Sequence, residues 1–526
     1  MSFDTTTYSE PFWAKSADFV RGRDPLGIQN SSISVYSLLL PGMTNLTLRL
    51  RYYGFYLWLI EEYFKLPVTN DFRKSVRGQY NFIRRAELLL SYFMVNKFPT
   101  EQSVVGSDFA NKNFSQLTTQ SYYDLALGAD KLLKTIKGSV YWDYTSGAFG
   151  QYYVGSLMAL QLVDSRTEGY FGHTEKGLKL SKVYSESITN DEAKTLFIKR
   201  IIEGKLYAED IDVLMDFSLS KNINNSSEED FYIEMLLDND GEKNKKATGE
   251  LPQQRKETVI LFLQFLSENK DPNSWKNLPI ALYSAYQHNS NKNTNEAQLG
   301  WYYYYLNELV HFSLETIFWG MLTEMERKSQ TIQTFIENIA QSVTDNEFEN
   351  VSVSEVISKT TNFEEEAQAY IDNINKEVRN KESISCISEG IFFLLKLYKD
   401  TKLDIESLEQ YASDFTLFDK NGNALAIFNK YITANSALKF SDFVKNTIRS
   451  LINEHTAIAY RKMGNGEKNL LKFIIEDNYL VHIETMKPNF TSPRLRTLYN
   501  FSIDLGLISK DGVLSEKANQ LISENT

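Results

Sequence analysis

Apolar and aromatic positions recur at helical spacing over most of the chain, and polar stretches divide them. Pro41-Gly42 marks a bend, and Thr44 or Asn45 stands where a cap belongs. The pattern after it predicts an amphipathic helix over 46–64, and a second helix is expected over 71–96. A looser polar stretch occupies 99–119, and helical patterning resumes at Tyr122. The span 220–249 reads as a linker, rich in charge, Asn and Gly, with a short amphipathic piece from Phe231 to Leu237. Another polar insert covers 288–296. A long aromatic helix is predicted over 301–328, and the pattern from 330 to 411 is helical, with an acidic face at Glu364-Glu365-Glu366. The scarcity of punctuation, 10 Pro and 25 Gly in 526 residues, favours long helices over many short strands.

Two separated stretches share one internal order. Leu160-Gln161-Leu162-Val163 precedes Thr174-Glu175-Lys176 and Leu180. Leu505-Gly506-Leu507-Ile508 precedes Ser515-Glu516-Lys517 and Leu521. Each follows an amphipathic helix, expected over 152–160 and 493–505, and encloses a turn-rich tip. Thr174 and Ser515 sit at N-cap positions, with Glu175 and Glu516 suited to the helix dipole. Helix, hairpin and capped helix in that order resemble winged helix-turn-helix modules. That resemblance implies Arg494 and Arg496 on a helix entering the major groove of double-stranded DNA, with Lys510 on the wing at a phosphate. The other reading is that both modules pack against neighbouring domains or partner proteins. The fold expected is therefore mainly α, a multi-domain helical protein with one or two winged-helix modules. Read serially, it divides into an N-terminal helical domain (1–119), a winged-helix-like module (120–219), a linker (220–249), a central helical domain (250–454) and a second winged-helix-like module (455–526).

Charge changes the picture locally. The whole chain carries a formal −12, which repels nucleic acid at long range. From Arg49 to Arg85, however, eight cations, among them Arg49, Arg51, Arg84 and Arg85, face only Glu61, Glu62 and Asp71. Tyr52, Tyr53, Tyr56 and Tyr80 are interleaved with them and suit stacking on bases. The bland alternative is a solvated helical face whose arginines pair with acids elsewhere. The single cysteine, Cys386, excludes a disulfide framework and fits a reducing cytoplasm. The opening MSFDTTTYSEPFW has neither the basic start nor the apolar core of a secretory signal, and no apolar run is long enough to span a bilayer, so no membrane association is expected.

Motifs for chemistry are sparse. No phosphate-binding Gly-x-x-x-x-Gly-Lys loop, dinucleotide Gly-x-Gly-x-x-Gly or Gly-x-Ser-x-Gly elbow occurs, and no cofactor is expected. None of the five histidines forms a His-x-x-x-His pair. Glu308-x-x-His311, with Glu315 one turn on, places three polar side chains on one helical face. Without a second such pair, a structural Glu–His contact is the better reading than a di-metal site. Glu476-Asp477 beside a strand expected over 479–483 is the kind of sparse acidic pattern a two-metal nuclease uses. Met463-Gly464-Asn465-Gly466 reads as a loop.

Leu39-Leu40-Pro41-Gly42, Thr44, Thr47, Arg49 and Arg51-Tyr52-Tyr53 form a core that resembles the N-terminal segment of uncharacterised bacterial proteins from defence-island gene neighbourhoods. The stretch from Trp301 to Leu322 is similar to a helical segment of the same proteins. The resemblance implies one subunit of a multi-gene anti-phage or anti-plasmid system and supplies no catalytic residues. The expectation is thus a non-catalytic scaffold or sensor contacting DNA or protein partners. A metal-dependent nuclease and a transcription regulator are the alternatives.

Overall fold

A computed structural model describes residues 24–101, 103–131, 136, 138–165, 169–237, 254–289, 294–348, 350–359, 366–418, 423–464 and 470–525. Glu364-Glu365, the charged run 243–246 and Asn465-Gly466 lie outside the described residues, whereas Met463 and Gly464, expected in a loop, close the helix Phe440–Gly464. The fold is mainly α, with a few short strands. No described helix is long and apolar enough to cross a membrane.

The described residues form two compact units, each woven from separated stretches: 24–39 with 279–492, and 40–237 with 254–278 and 493–525. The serial division read from the sequence is therefore not how the chain groups in space.

In the first unit the helix Glu296–Arg327 runs through the core and is buried on almost every side. Asn295 and Gln298 close its start in a reciprocal capping box. Its main neighbour is Ser383–Thr401. The two approach closely because small residues meet there. A Cβ at Gly320 would lie 2.7 Å from the carbonyl oxygen of Ser383, and one at Gly390 would lie 3.0 Å from that of Ser313. Gln29–Leu39 and Ala424–Asn435 cover other faces, and Ile332–Phe348 packs on Phe440–Gly464. A three-stranded antiparallel sheet places Tyr479–His482 between Phe473–Glu476 and Gln330–Thr331. Asp477 and Asn478, both at positive φ, make its two-residue hairpin turn.

In the second unit Arg51–Lys65 is the central helix, and every residue from Arg51 to Ile60 is buried. It packs on Glu175–Ser187 and on Val76–Lys97. The helix expected over 71–96 is split, because Ser75 is extended and its Oγ accepts from the Gly78 amide at 3.1 Å. The turn Asp71–Lys74 is left outside it.

Both paired stretches have the order helix, hairpin, capped helix. In the first, Val154–Ala159 leads into strands Val163–Ser165 and Phe171–His173, antiparallel with Val163 opposite His173. Thr174 Oγ1 then caps Glu175–Ser187 through the Gly177 amide at 3.0 Å. In the second, Leu495–Asp504 is followed by a single antiparallel bridge, Ile508 to Leu514, and by Glu516–Asn525. Ser515 Oγ accepts there from the Ala518 amide at 3.2 Å. This helix begins two residues later than Pro493 suggested, because Arg494 is left-handed at φ 65° and turns the chain.

Candidate functional site

The second unit holds a cleft of about 620 Å³ that unites residues from its first and last stretches. Arg49, Arg51, Arg496 and Lys510 all line it, joined by Lys221. Two carboxylates, Glu101 and Asp504, stand among them. Arg496, Asn500, Ile503 and Asp504 reach the cleft from one face of Leu495–Asp504, as helical spacing of three and four dictates.

These cations differ in what they are tied to. Arg49 precedes its helix and bridges the site. Its Nη1 donates to Glu101 at 2.6 Å, its Nη2 donates to the Leu219 carbonyl at 3.0 Å, and Asp504 lies 3.4 Å away. Its Nε is buried without a hydrogen-bond partner among the described residues. Burial works against ionisation of Glu101, yet the Arg49 hydrogen bond and charge hold its carboxyl below the usual range, helped by Lys510. Asp504 goes the other way: burial raises it, against the opposing pull of Arg49 and a 3.0 Å bond from the Leu50 amide. Lys221 is held by Asp216 at 2.7 Å. Arg496 and Lys510 are exposed and make no hydrogen bond or ion pair among the described residues.

Arg51 borders the cleft, but its guanidinium is 1% exposed and faces inward. It pairs with the buried Glu228 at 3.0 Å, donates to the carbonyls of Asp216 and Ser218, and lies 4.9 Å from the Tyr184 ring centre. Arg84 is wholly buried, donating to the carbonyls of Ala129, Tyr144 and Trp142 at 2.6–2.8 Å. Both were expected to meet nucleic acid, and burial rules that out in this fold. Arg51 is consumed by the Glu228 carboxylate and two carbonyls, and Arg84 by three carbonyls that need donors away from water. Arg85 makes a two-point pair with Asp130 at 2.6 and 2.7 Å. Arg494, expected on the same helix as Arg496, is not within Leu495–Asp504; it sits before it and donates to the Leu40 carbonyl at 3.0 Å. Tyr52, Tyr53 and Tyr56 are also buried and therefore unable to stack on bases, with Tyr53 donating to the Gly42 carbonyl at 2.8 Å and Tyr56 to Glu87 at 2.8 Å.

Sequence reasoning placed four of the cleft's residues without placing them together. It missed Lys221, which fell in the stretch read as linker, and the amides Asn224 and Asn500. The shared order of the two hairpin stretches marks where Leu495–Asp504 begins but carries no signal for Lys221 or Asn224.

The Glu308–His311–Glu315 trio of the first unit is entirely enclosed. His311 Nε2 lies 3.1 Å from Glu315, out of line for a hydrogen bond, and Nδ1 lies 4.0 Å from Glu308. Burial opposes a charge on the imidazole, but the two carboxylates overcome it and push its pKa up to about 9. The carboxylates also receive the backbone amides of Asn489 and Thr491, at 3.0 and 2.6 Å, so the trio braces that segment across the helix. The spacing does bring the three side chains together, with Glu308 Oε1 and both ring nitrogens of His311 left without a hydrogen-bond partner among the described residues. Glu476 and Asp477 sit at a hairpin tip, and no three His, Cys, Asp or Glu side chains converge to hold a metal among the described residues. No family model, no curated protein and no solved structure matches the chain.

Proposed function

We propose that the chain is a non-catalytic binding subunit that contacts the backbone of double-stranded DNA at the rim of the basic cleft, within a prokaryotic anti-phage or anti-plasmid defence assembly. The observation that carries the DNA contact is the pair Arg496 and Lys510, exposed and uncommitted on one cleft, while the neighbouring arginines are tied inside the protein. The helix, hairpin, capped-helix order of 495–525 supports a winged-helix reading of that stretch. The defence role and the protein partners rest on the resemblance of the Leu39–Tyr53 core.

Salt-dependent binding of a duplex tests the contact. Each phosphate neutralised contributes roughly −0.9 to the slope of log K against log salt. Arg496→Ala with Lys510→Ala should weaken binding and flatten that slope by about 2. The duplex should stay intact with Mg²⁺ or Mn²⁺. An unchanged slope removes the cleft from the DNA contact, and cleavage of the duplex overturns the non-catalytic reading.

A further inference from the structure

We infer that the cleft is a pocket for a terminal phosphomonoester on a hydroxyl-bearing sugar. This deepens the proposed anion-binding role of the same site by naming the ligand chemistry.

Three observations point there. The cleft's volume, about 620 Å³, lies within the roughly 300–1,000 Å³ typical of small-ligand pockets. A concavity of that size admits a molecule or a strand end, whereas a duplex meets only its rim. Charge is the second. Arg49 and Lys221 are held by carboxylates, which leaves Arg496 and Lys510 as two cations without a counter-charge in contact. A phosphomonoester carries about −1.5 to −2 at neutral pH, which matches two such cations. A single internal phosphodiester carries one charge, so two successive backbone phosphates at the rim would be needed to do the same.

The polar remainder of the lining supplies the third. The side chains of Asn224 and Asn500 make no hydrogen bond among the described residues, so each offers donors and an acceptor to a ligand. Gly506 keeps Asn224 in place: a Cβ there would sit 2.8 Å from the amide oxygen. Among the described residues of the lining, Leu219 and Ile503 carry the apolar side chains and none is aromatic. Such a lining suits sugar hydroxyls and gives a base nothing to stack on.

A free nucleotide and the 5′-phosphorylated end of a strand present the same chemistry. Calorimetric titration of the full chain separates them, using a nucleoside 5′-monophosphate, the matching nucleoside, and one single-stranded oligonucleotide with and without its 5′-phosphate. The phosphorylated form should bind at least tenfold tighter than its unphosphorylated counterpart. Arg496→Ala should remove that preference with the thermal midpoint unchanged. Tight binding of the mononucleotide assigns the site to a free nucleotide, and binding of the phosphorylated strand alone assigns it to a strand end. Equal affinity with and without phosphate, or no binding of either phosphorylated probe, overturns the inference. Loss of duplex binding with nucleotide binding retained would overturn only the DNA contact proposed above, and the reverse would overturn only this pocket.

Discussion

Removing one partner of a fully buried ion pair strands the other charge, which costs about 3–5 kcal/mol. Arg51 and Glu228 are such a pair, each about 1% exposed. Arg51→Ala or Glu228→Ala should therefore lower the urea-unfolding free energy by about 3–5 kcal/mol. Arg496→Ala, on the same cleft, should stay within about 0.5 kcal/mol of wild type. A mild Arg51→Ala would show that the pair is hydrated. The two core histidines titrate in opposite senses. His311 has its folded pKa raised to about 9, so the stability it adds is complete below about 6.5 and fades as pH rises toward 9. Burial instead lowers His455 to about 4. Its Nδ1–H donates to the Pro25 carbonyl at 3.0 Å and its Nε2 accepts from the Lys472 amide at 2.9 Å, so it is kept neutral. Stability is lost there as pH falls from about 6.5 to 4. Ring-carbon NMR titration should show one histidine moving near pH 9 and one unmoved until about pH 4. Titration of both His311 and His455 near 6.5, each assigned by substitution, would refute both assignments. Little of this was legible beforehand. Arg51 sits in RYYGFYLWLI, which leaves a helix no polar face, and that was the clue to its burial.

Elements show why a glycine or a cap matters in one place and not another. Thr174 Oγ1 accepts from Gly177 and donates to the Gln161 carbonyl at 2.6 Å, tying the closing helix to the hairpin before it. Thr174→Ala should cost about 1 kcal/mol. Gly177 lies in that helix, where alanine ordinarily gains up to about 1 kcal/mol. Here a Cβ would fall 1.9 Å from the Leu162 carbonyl oxygen, so Gly177→Ala should destabilise. Gly155 has nothing within 4 Å of its missing Cβ, and Gly155→Ala should stabilise by up to about 1 kcal/mol. Thermal melts of the two alanine variants shifting in the same direction would contradict the pairing of helix and hairpin. At this scale the sequence was more readable. Turn residues, caps and apolar period act locally, so the hairpin order and the cap at Thr174 were visible. The left-handed Arg494 was not, and the Leu40 carbonyl that its guanidinium reaches lies far away in the chain.

Across the whole molecule, local patterning could not show which stretches join. The helix Leu495–Asp504 seals the second unit through Thr497 Oγ1, which donates to the Thr44 carbonyl at 2.6 Å, and Phe501, whose ring meets Tyr53 edge-on at 5.6 Å. A chain ending at Ser492 should therefore lose protease protection over 40–237 while 279–492 stays protected. Equal resistance of both would mean the last stretch is an appendage. The same joining also sets a timetable. Arg49 and Asp504 meet across most of the chain, and the neighbouring Leu50–Asp504 bond spans 454 residues. At roughly 5–20 residues per second, the ribosome takes on the order of 20–90 s to supply that second half. A nascent or interrupted polypeptide thus carries Arg49 but lacks Arg496 and Lys510, and the cleft is complete only in a chain translated past Lys510.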